Sequence, residues 1–351
     1  MRILLWIVGG VVTLALLLLV YALLTSNVDP IEYEHPPSDG LTGFLAPNDA
    51  LKSAEKFMQG VGTGPEDIAV GVDGWFYTGY RDGRIVRFKL TGEHEEFANT
   101  GGYPLGMRID SNNNLIVADA DKGLLSIAQS GAIEVLLSEI DGVPMKFPDG
   151  LDIAMDGTIW FTDASTRHGH ENVVDIFLEG RATGRLISFN PETREATVHL
   201  EGLYFANGVA VDPAQHFVLV SETSAYRIRR YWIGKGSEEP DYFLEDLPAI
   251  PDNISVDIDG FFWVGFPSLR SDDLDALGDK PLIRKVLGAI PHEKWAPPAN
   301  YAFVAAFDRN GSVVQNMQQQ GSAFSRVTGA VRVDDKLLLT NLESDSLGLI
   351  Q

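Results

Sequence analysis

The chain has 351 residues, 45% of them apolar, which is enough to bury a substantial core and places it outside the disordered class. Forty-nine acidic against 27 basic residues give a formal charge of -22, which repels nucleic acid and favours cations and neutral ligands. There is no cysteine, so thiolate catalysis, disulfides and zinc-thiolate sites are excluded, and any metal must sit on oxygen or imidazole.

Residues 3–24, "ILLWIVGGVVTLALLLLVYALL", form a run of 22 residues without a charge. Roughly 20 such residues cross the hydrocarbon of a bilayer. A cleaved signal peptide has an apolar core of roughly 7–15 residues and a small-x-small exit. Here the run is longer and ends "ALLTSN", so residues 1–24 are expected to be an uncleaved transmembrane anchor. Arg2 is the only positive charge before Lys52, which predicts a cytoplasmic N-terminus and a remaining chain on the periplasmic or lumenal side. Residues 25–60, with "NVDPIEYEHPPSDG", read as a Pro- and acid-containing connector.

From residue 61 the chain repeats itself. Six segments align without gaps: "EDIAVGVDGWFYT" (66–78), "LGMRIDSNNNLIV" (105–117), "DGLDIAMDGTIWF" (149–161), "NGVAVDPAQHFVL" (207–219), "DNISVDIDGFFWV" (252–264) and "TGAVRVDDKLLLT" (328–340). Each reads as strand, tight turn, strand, with the turn at Asp73, Asn112, Asp156, Ala214, Asp259 and Asp335. Copies of roughly 40–50 residues, followed by further strands such as "GRIVRFKL" and "GRLISFNP", suit four-stranded blades. The prediction is an all-β, six-bladed β-propeller over residues 61–351. Two spacings exceed a blade and mark insertions. One spans 165–183 and carries His168 and His170; the other spans 268–298, where Leu274, Leu277, Leu282, Ile283, Val286, Leu287 and Ile290 approximate helical spacing that Pro281 should break. Such inserts either form a lid over a site or pack against the propeller flank.

The first aligned position is Glu66, Leu105, Asp149, Asn207, Asp252 and Thr328. In a propeller the innermost strands line the central channel, so four carboxylate or amide oxygens converge on one mouth. Carboxylates that would otherwise repel point to a cation, and Ca²⁺, which accepts about 6–8 oxygens, fits better than Mg²⁺. Asn253 offers a further ligand. Singly, such residues are more often turn caps.

These residues, with "YPLGMRID", "LIVADADKGLL", "IWFTDAS", "GRLISFNPETRE", "GLYFANGVAVD", "LVSETSAYRIRRYWI" and "LPAIPDNISVD", make the chain resemble the strictosidine synthase-like branch of the calcium-dependent six-bladed propellers over essentially its whole length. Paraoxonases and gluconolactonases share that fold and its axial metal. The resemblance implies Glu66, Asn207 and Asp252 as metal ligands. Asp149 matches a ligand of paraoxonases and a substrate-facing position of gluconolactonases, and Asn253 matches the second amide ligand of paraoxonases. Asp149 is an acid where relatives usually carry Asn. Two departures stand out. The glutamate with which strictosidine synthase deprotonates its amine is replaced by Ser325 or Arg326 in "SAFSRVTG", which argues against a condensing enzyme. The paraoxonase histidine dyad would fall near Leu105 and Ala120, leaving His168 and His170 either as substitutes or as plain surface residues.

The expected activity is calcium-assisted hydrolysis of a small lactone or aryl-type ester, with Asp252 or Asp149 as the base. Leu105, Phe205 and Phe266, with His168 and His170, are the expected substrate contacts. Asp163, Arg227, Arg229 and Arg230 are expected to be structural. The rival expectation is a membrane-tethered binding propeller whose cation only staples the blades, and the missing histidine or glutamate base favours it.

Overall fold

The computed structural model describes residues 2–235, 240–295, 298–322 and 324–351, without the side chains of residues 2–5, 7–9, 11, 12, 15, 18 and 293. Met1 of the expected anchor and residues 296 and 297 of the second insert therefore lie outside the described residues. The chain divides into two compact units, one of residues 36–170, 182–270 and 298–351, the other of residues 1–35, 171–181 and 271–297.

The larger unit is the six-bladed propeller. Each aligned segment supplies the first two strands of a blade, as at Pro148–Ile153 and Ile159–Asp163, and two further antiparallel strands follow, here Gly184–Asn190 and Glu195–Leu203. The turns form because acidic side chains satisfy the backbone there. Asp110 accepts from the N–H of Asn112 and Asn114 at 2.9 and 2.7 Å, and Asp257 accepts from Asp259 and Phe261, both at 3.0 Å. Part of the acidic composition is spent in this way.

Second strands such as Leu115–Asp119, Ile159–Asp163 and Phe217–Glu222 are buried along their whole length, because one face of the strand packs on the preceding blade and the other on the next. The core is accordingly six apolar wedges, one per blade interface. Met107, Val117 and Leu125 meet Tyr77 and Ile85 between blades one and two, and Phe243 meets Phe262 and Phe307 between blades four and five. Blade six is closed by the other end of the chain: its sheet runs Glu55–Phe57, Leu347–Ile350, Lys336–Asn341, Val327–Val333. Glu55 pairs with Leu349 and Phe57 with Leu347. The stretch expected to be a connector (25–60) thus contributes a propeller strand.

The smaller unit holds α1 (Arg2–Thr25), α2 (Val173–Glu179), α3 (Asp272–Asp275) and α4 (Pro281–Leu287). The second insert is a broken helix, with Pro281 opening α4 at a position where its missing N–H costs nothing. Among the described residues no helix is long and apolar enough to cross a membrane, so crossing by residues 1–24 rests on the sequence alone.

Candidate metal centre at the propeller axis

The inner strands bring the first aligned positions together. Glu66, Asp149, Asn207, Asp252, Asn253 and Thr328 are each less than 9% exposed, although all are polar. Glycine at the following position allows this. A Cβ on Gly106, Gly150 or Gly208 would lie 2.5, 2.6 or 2.3 Å from the carbonyl oxygen of Asp149, Asn207 or Asp252, so each strand is pressed against the next blade's ligand-bearing residue. Hydroxyls lock the same backbone: Thr162 donates to the Asn207 carbonyl and Ser221 to the Asp252 carbonyl, both at 2.7 Å. Asn253 (2.8 Å) and Thr328 (3.0 Å) both donate to the Glu66 carbonyl, tying blades five and six to blade one.

Charge inside this ring is poorly compensated. Burial pushes the Glu66 carboxyl up to about 7 against the hydrogen bond it accepts from Tyr103 Oη at 2.6 Å. Asp149 is raised well above the ordinary range by burial and then by the Asp252 and Glu66 charges. Asp252 is raised likewise by burial and Glu66, against a hydrogen bond from the Asn207 side chain. Asn207, having donated its amide, keeps a buried Oδ1 with no hydrogen-bond partner. Among the described residues no three His, Asp or Glu side chains converge as a ready-made metal cluster. The donor set nevertheless fits a hard cation: mutually repelling buried carboxylates plus an unsatisfied amide oxygen are what Ca²⁺ would relieve.

One to three residues further along the inner strands the charge is matched. Arg108 of blade two reaches Asp67 Oδ2 (2.8 Å) and Asp152 Oδ1 (3.4 Å), and points a third N–H at the Ile254 carbonyl (3.4 Å). Burial disfavours its charge, but the two carboxylates outweigh that and hold its pKa up. One side chain from blade two thereby touches blades one, three and five across the axis.

Of the expected substrate contacts, the structure gathers two. His170 sets its ring 5.0 Å from that of Tyr103 and 6.3 Å from that of Phe147, and Phe147 lies 5.6 Å from Phe205. His170 Nε2 lies 3.2 Å from Asp121 Oδ1. His168 donates its backbone N–H to Ser165 Oγ at 3.1 Å. Leu105 is buried at the first aligned position. Phe266 sits apart from the axial set, stacked on Phe303 at 4.3 Å within the wedge between blades four and five. Tyr103 and Phe147 escaped the sequence reading because they precede the aligned window. Two residues before the six first positions stand Gly64, Tyr103, Phe147, Phe205, Ile250 and Arg326, so the same repeat, read slightly further upstream, places aromatic rings in three consecutive blades. Phe205 and Arg326 hold φ of 54° and 60° there, a conformation that side chains adopt only when packing enforces it.

Three of the four residues expected to be structural make fixed contacts. Asp163 accepts from Phe147 N at 3.0 Å and pairs with Arg185 at 2.6 Å, and Arg227 pairs with Glu222 at 3.0 Å. Arg230 lies over the Phe217 ring at 5.1 Å.

The sequence model of strictosidine synthase matches residues 149–236, and that of the strictosidine synthase-like N-terminal region matches residues 43–88. Strictosidine synthase-like protein 6 of Arabidopsis thaliana is 36% identical over 332 residues, covering 90% of this chain and 88% of that one. The chain belongs to the strictosidine synthase-like family. Within this family the adipocyte plasma membrane-associated protein of Rattus norvegicus is 33% identical over 350 residues, with 92% of each chain covered. Among solved structures, a gluconolactonase from Xanthomonas campestris superposes with a TM-score of 0.62 at 16% identity, covering 93% of this chain and 98% of its own. The calcium-binding regucalcin of Agrobacterium tumefaciens gives 0.57 at 13% identity, covering 84% and 90%. These likenesses extend to the fold. Arg326 pairs with Glu343 at 2.8 Å, and the Ser325 carbonyl accepts from the Asn341 amide.

Proposed function

We propose that the protein is a membrane-anchored, calcium-dependent hydrolase of lactones or aryl-type esters. The observation that carries the reading is the buried, mutually repelling set Glu66, Asp149 and Asp252 beside the unsatisfied Asn207 Oδ1. Glu66, Asp149, Asn207 and Asp252 would hold the ion, with Asn253 as a further candidate through its oxygen, since its amide nitrogen is engaged by the Glu66 carbonyl. Bound there, Ca²⁺ supplies a positive charge for an ester carbonyl as its oxygen turns anionic. The chain's own groups do the rest. Asp149 or Asp252 takes the proton of the attacking water. Tyr103, Phe147, Phe205 and His170, packed edge-on and tilted against one another, would supply the apolar contacts to an acyl or aryl group. Support from the comparisons is the gluconolactonase and calcium-binding proteins among the neighbours, and the plasma membrane in the relative's name. Residues 1–24 act as the anchor, with a cytoplasmic N-terminus and the propeller on the periplasmic or lumenal side.

The test uses the full chain in detergent or nanodiscs, a panel of lactones and aryl esters, calcium or a chelator, and Asp252→Ala. Turnover that needs calcium and is lost in Asp252→Ala is expected; turnover untouched by chelation sinks the mechanism. A second reading, a binding propeller with a structural cation, is favoured by Leu105: the resemblance to paraoxonases would put a histidine base near it, and the side chain there is apolar. Calcium-loaded, folded protein without turnover on the panel would select it.

A further inference from the structure

α4 is built inside out. Its charged Arg284 is 1% exposed, whereas its neighbours Leu282 and Ile283 are 69% and 46% exposed, and Ile290, just past its end, is 40% exposed. At 100° per residue, 282, 283 and 286 share one side of the helix and Arg284 lies opposite. Arg284 is inward for a structural reason: it donates to the carbonyls of Leu178 (2.9 Å), Gly278 (2.7 Å) and Ile31, so it joins α2, the turn after α3 and the chain that leaves α1. That knot is reinforced by Glu179, which accepts from Asp29 N at 2.8 Å, and by Tyr33 N donating to the Gly278 carbonyl at 3.1 Å. A Cβ on Gly288, at the end of α4, would lie 2.5 Å from Val28 Cγ2 and 3.0 Å from Ser26 Oγ, the first residues beyond α1. The exposed face is therefore held next to the point where the apolar helix ends.

We infer that this face of α4, Leu282, Ile283 and Ile290, lies in the interfacial layer of the same bilayer that α1 enters. It rests on the anchor reading above. A helix that buries its charge and exposes its apolar side is arranged for an apolar phase, and the phase that continues from α1 is lipid. Lys280, Lys285 and Lys294 stand in the same segment, Lys280 paired with Asp279 at 2.8 Å, and Trp295, packed on His292 at 5.5 Å, is the aromatic type enriched at headgroup depth.

Because the chain lacks cysteine, single labels can be placed at will. Full-length Ile283→Cys, Leu282→Cys, Leu16→Cys in α1 and Ile258→Cys in a propeller turn are each labelled with a polarity-sensitive fluorophore and reconstituted into phosphatidylcholine–phosphatidylglycerol vesicles. With a quencher on the acyl chain, labels at 283, 282 and 16 are expected to dim roughly two-fold and resist aqueous iodide, as for groups about 5–10 Å inside the boundary. The label at 258 should do the reverse. Iodide quenching at 282 and 283 with lipid quenching at 16 overturns the inference and leaves the anchor standing. Iodide quenching at all three overturns both. Labels at 282 and 283 shielded from both quenchers, and exposed on dilution into excess empty vesicles, would reveal a second copy on this face and also overturn it.

Discussion

Glu66 shows how much of the site's character is set by one side chain. Its folded pKa of about 7 stands above the ordinary 4.5, so between those values the folded chain keeps a proton that the unfolded chain has released. Stability then falls as pH rises through that window and is unaffected below it. Without divalent cation, Glu66→Gln should melt higher than the parent at about pH 8 and alike at about pH 4, and saturating calcium should reverse the order at the higher pH. An apo parent with the same melting profile as the variant at both values would remove the premise. Arg108 makes the opposite case, a charge already matched. Arg108→Met leaves Asp67 and Asp152 facing each other without their cation and should cost about 3–5 kcal/mol by denaturant unfolding; a loss under about 1 kcal/mol would mean that water replaces the guanidinium. At this scale the sequence was informative where residues recur. Glu66, Asp149, Asn207 and Asp252 stand out as one column; Tyr103 does not, because its column mixes aromatics with Gly64, Ile250 and Arg326. Phe266, expected at the mouth, instead stacks on Phe303 in the wedge.

Among the elements, the inner strands of blades two, three and four pack so closely on the next blade that the second aligned position, Gly106, Gly150 and Gly208, has no room for a side chain. Gly208→Ala should therefore cost roughly 1–3 kcal/mol and weaken calcium binding together with stability, because the Asp252 carbonyl must move. A stable Gly208→Ala with parental calcium affinity would show that the strand can slide without disturbing its neighbour. The blades were legible because strand, acidic turn and strand recur with a fixed pattern of side chains. The closing strand was not. Glu55–Phe57 is three residues with no alternation to read, and its partner lies at the far end of the chain. Nor does periodicity announce that 1–35, 171–181 and 271–297 form one unit, since Arg284 binds carbonyls, which every residue has.

For the whole molecule, a charge of -22 in a fold with a buried acidic axis makes divalent cations the natural stabiliser. Calcium at about a hundred times its dissociation constant should add roughly 2.7 kcal/mol to unfolding and raise the melting temperature; magnesium at equal concentration should do less. Asp252→Ala should abolish the difference between the two ions. If monovalent salt alone reproduces the calcium effect, general screening rather than a site is responsible.

The pairing of Glu55–Phe57 with Leu347–Ile350 also bears on the order of events during synthesis. A ring whose clasp pairs Glu55–Phe57 with Leu347–Ile350 cannot close until both segments have been made. Until then the blades between them must wait with the wedge on either side of the gap open to solvent. Removing only Leu347–Ile350 would then leave a molecule that never leaves that waiting state, and its fate should be capture by chaperones or precipitation rather than a modest drop in stability.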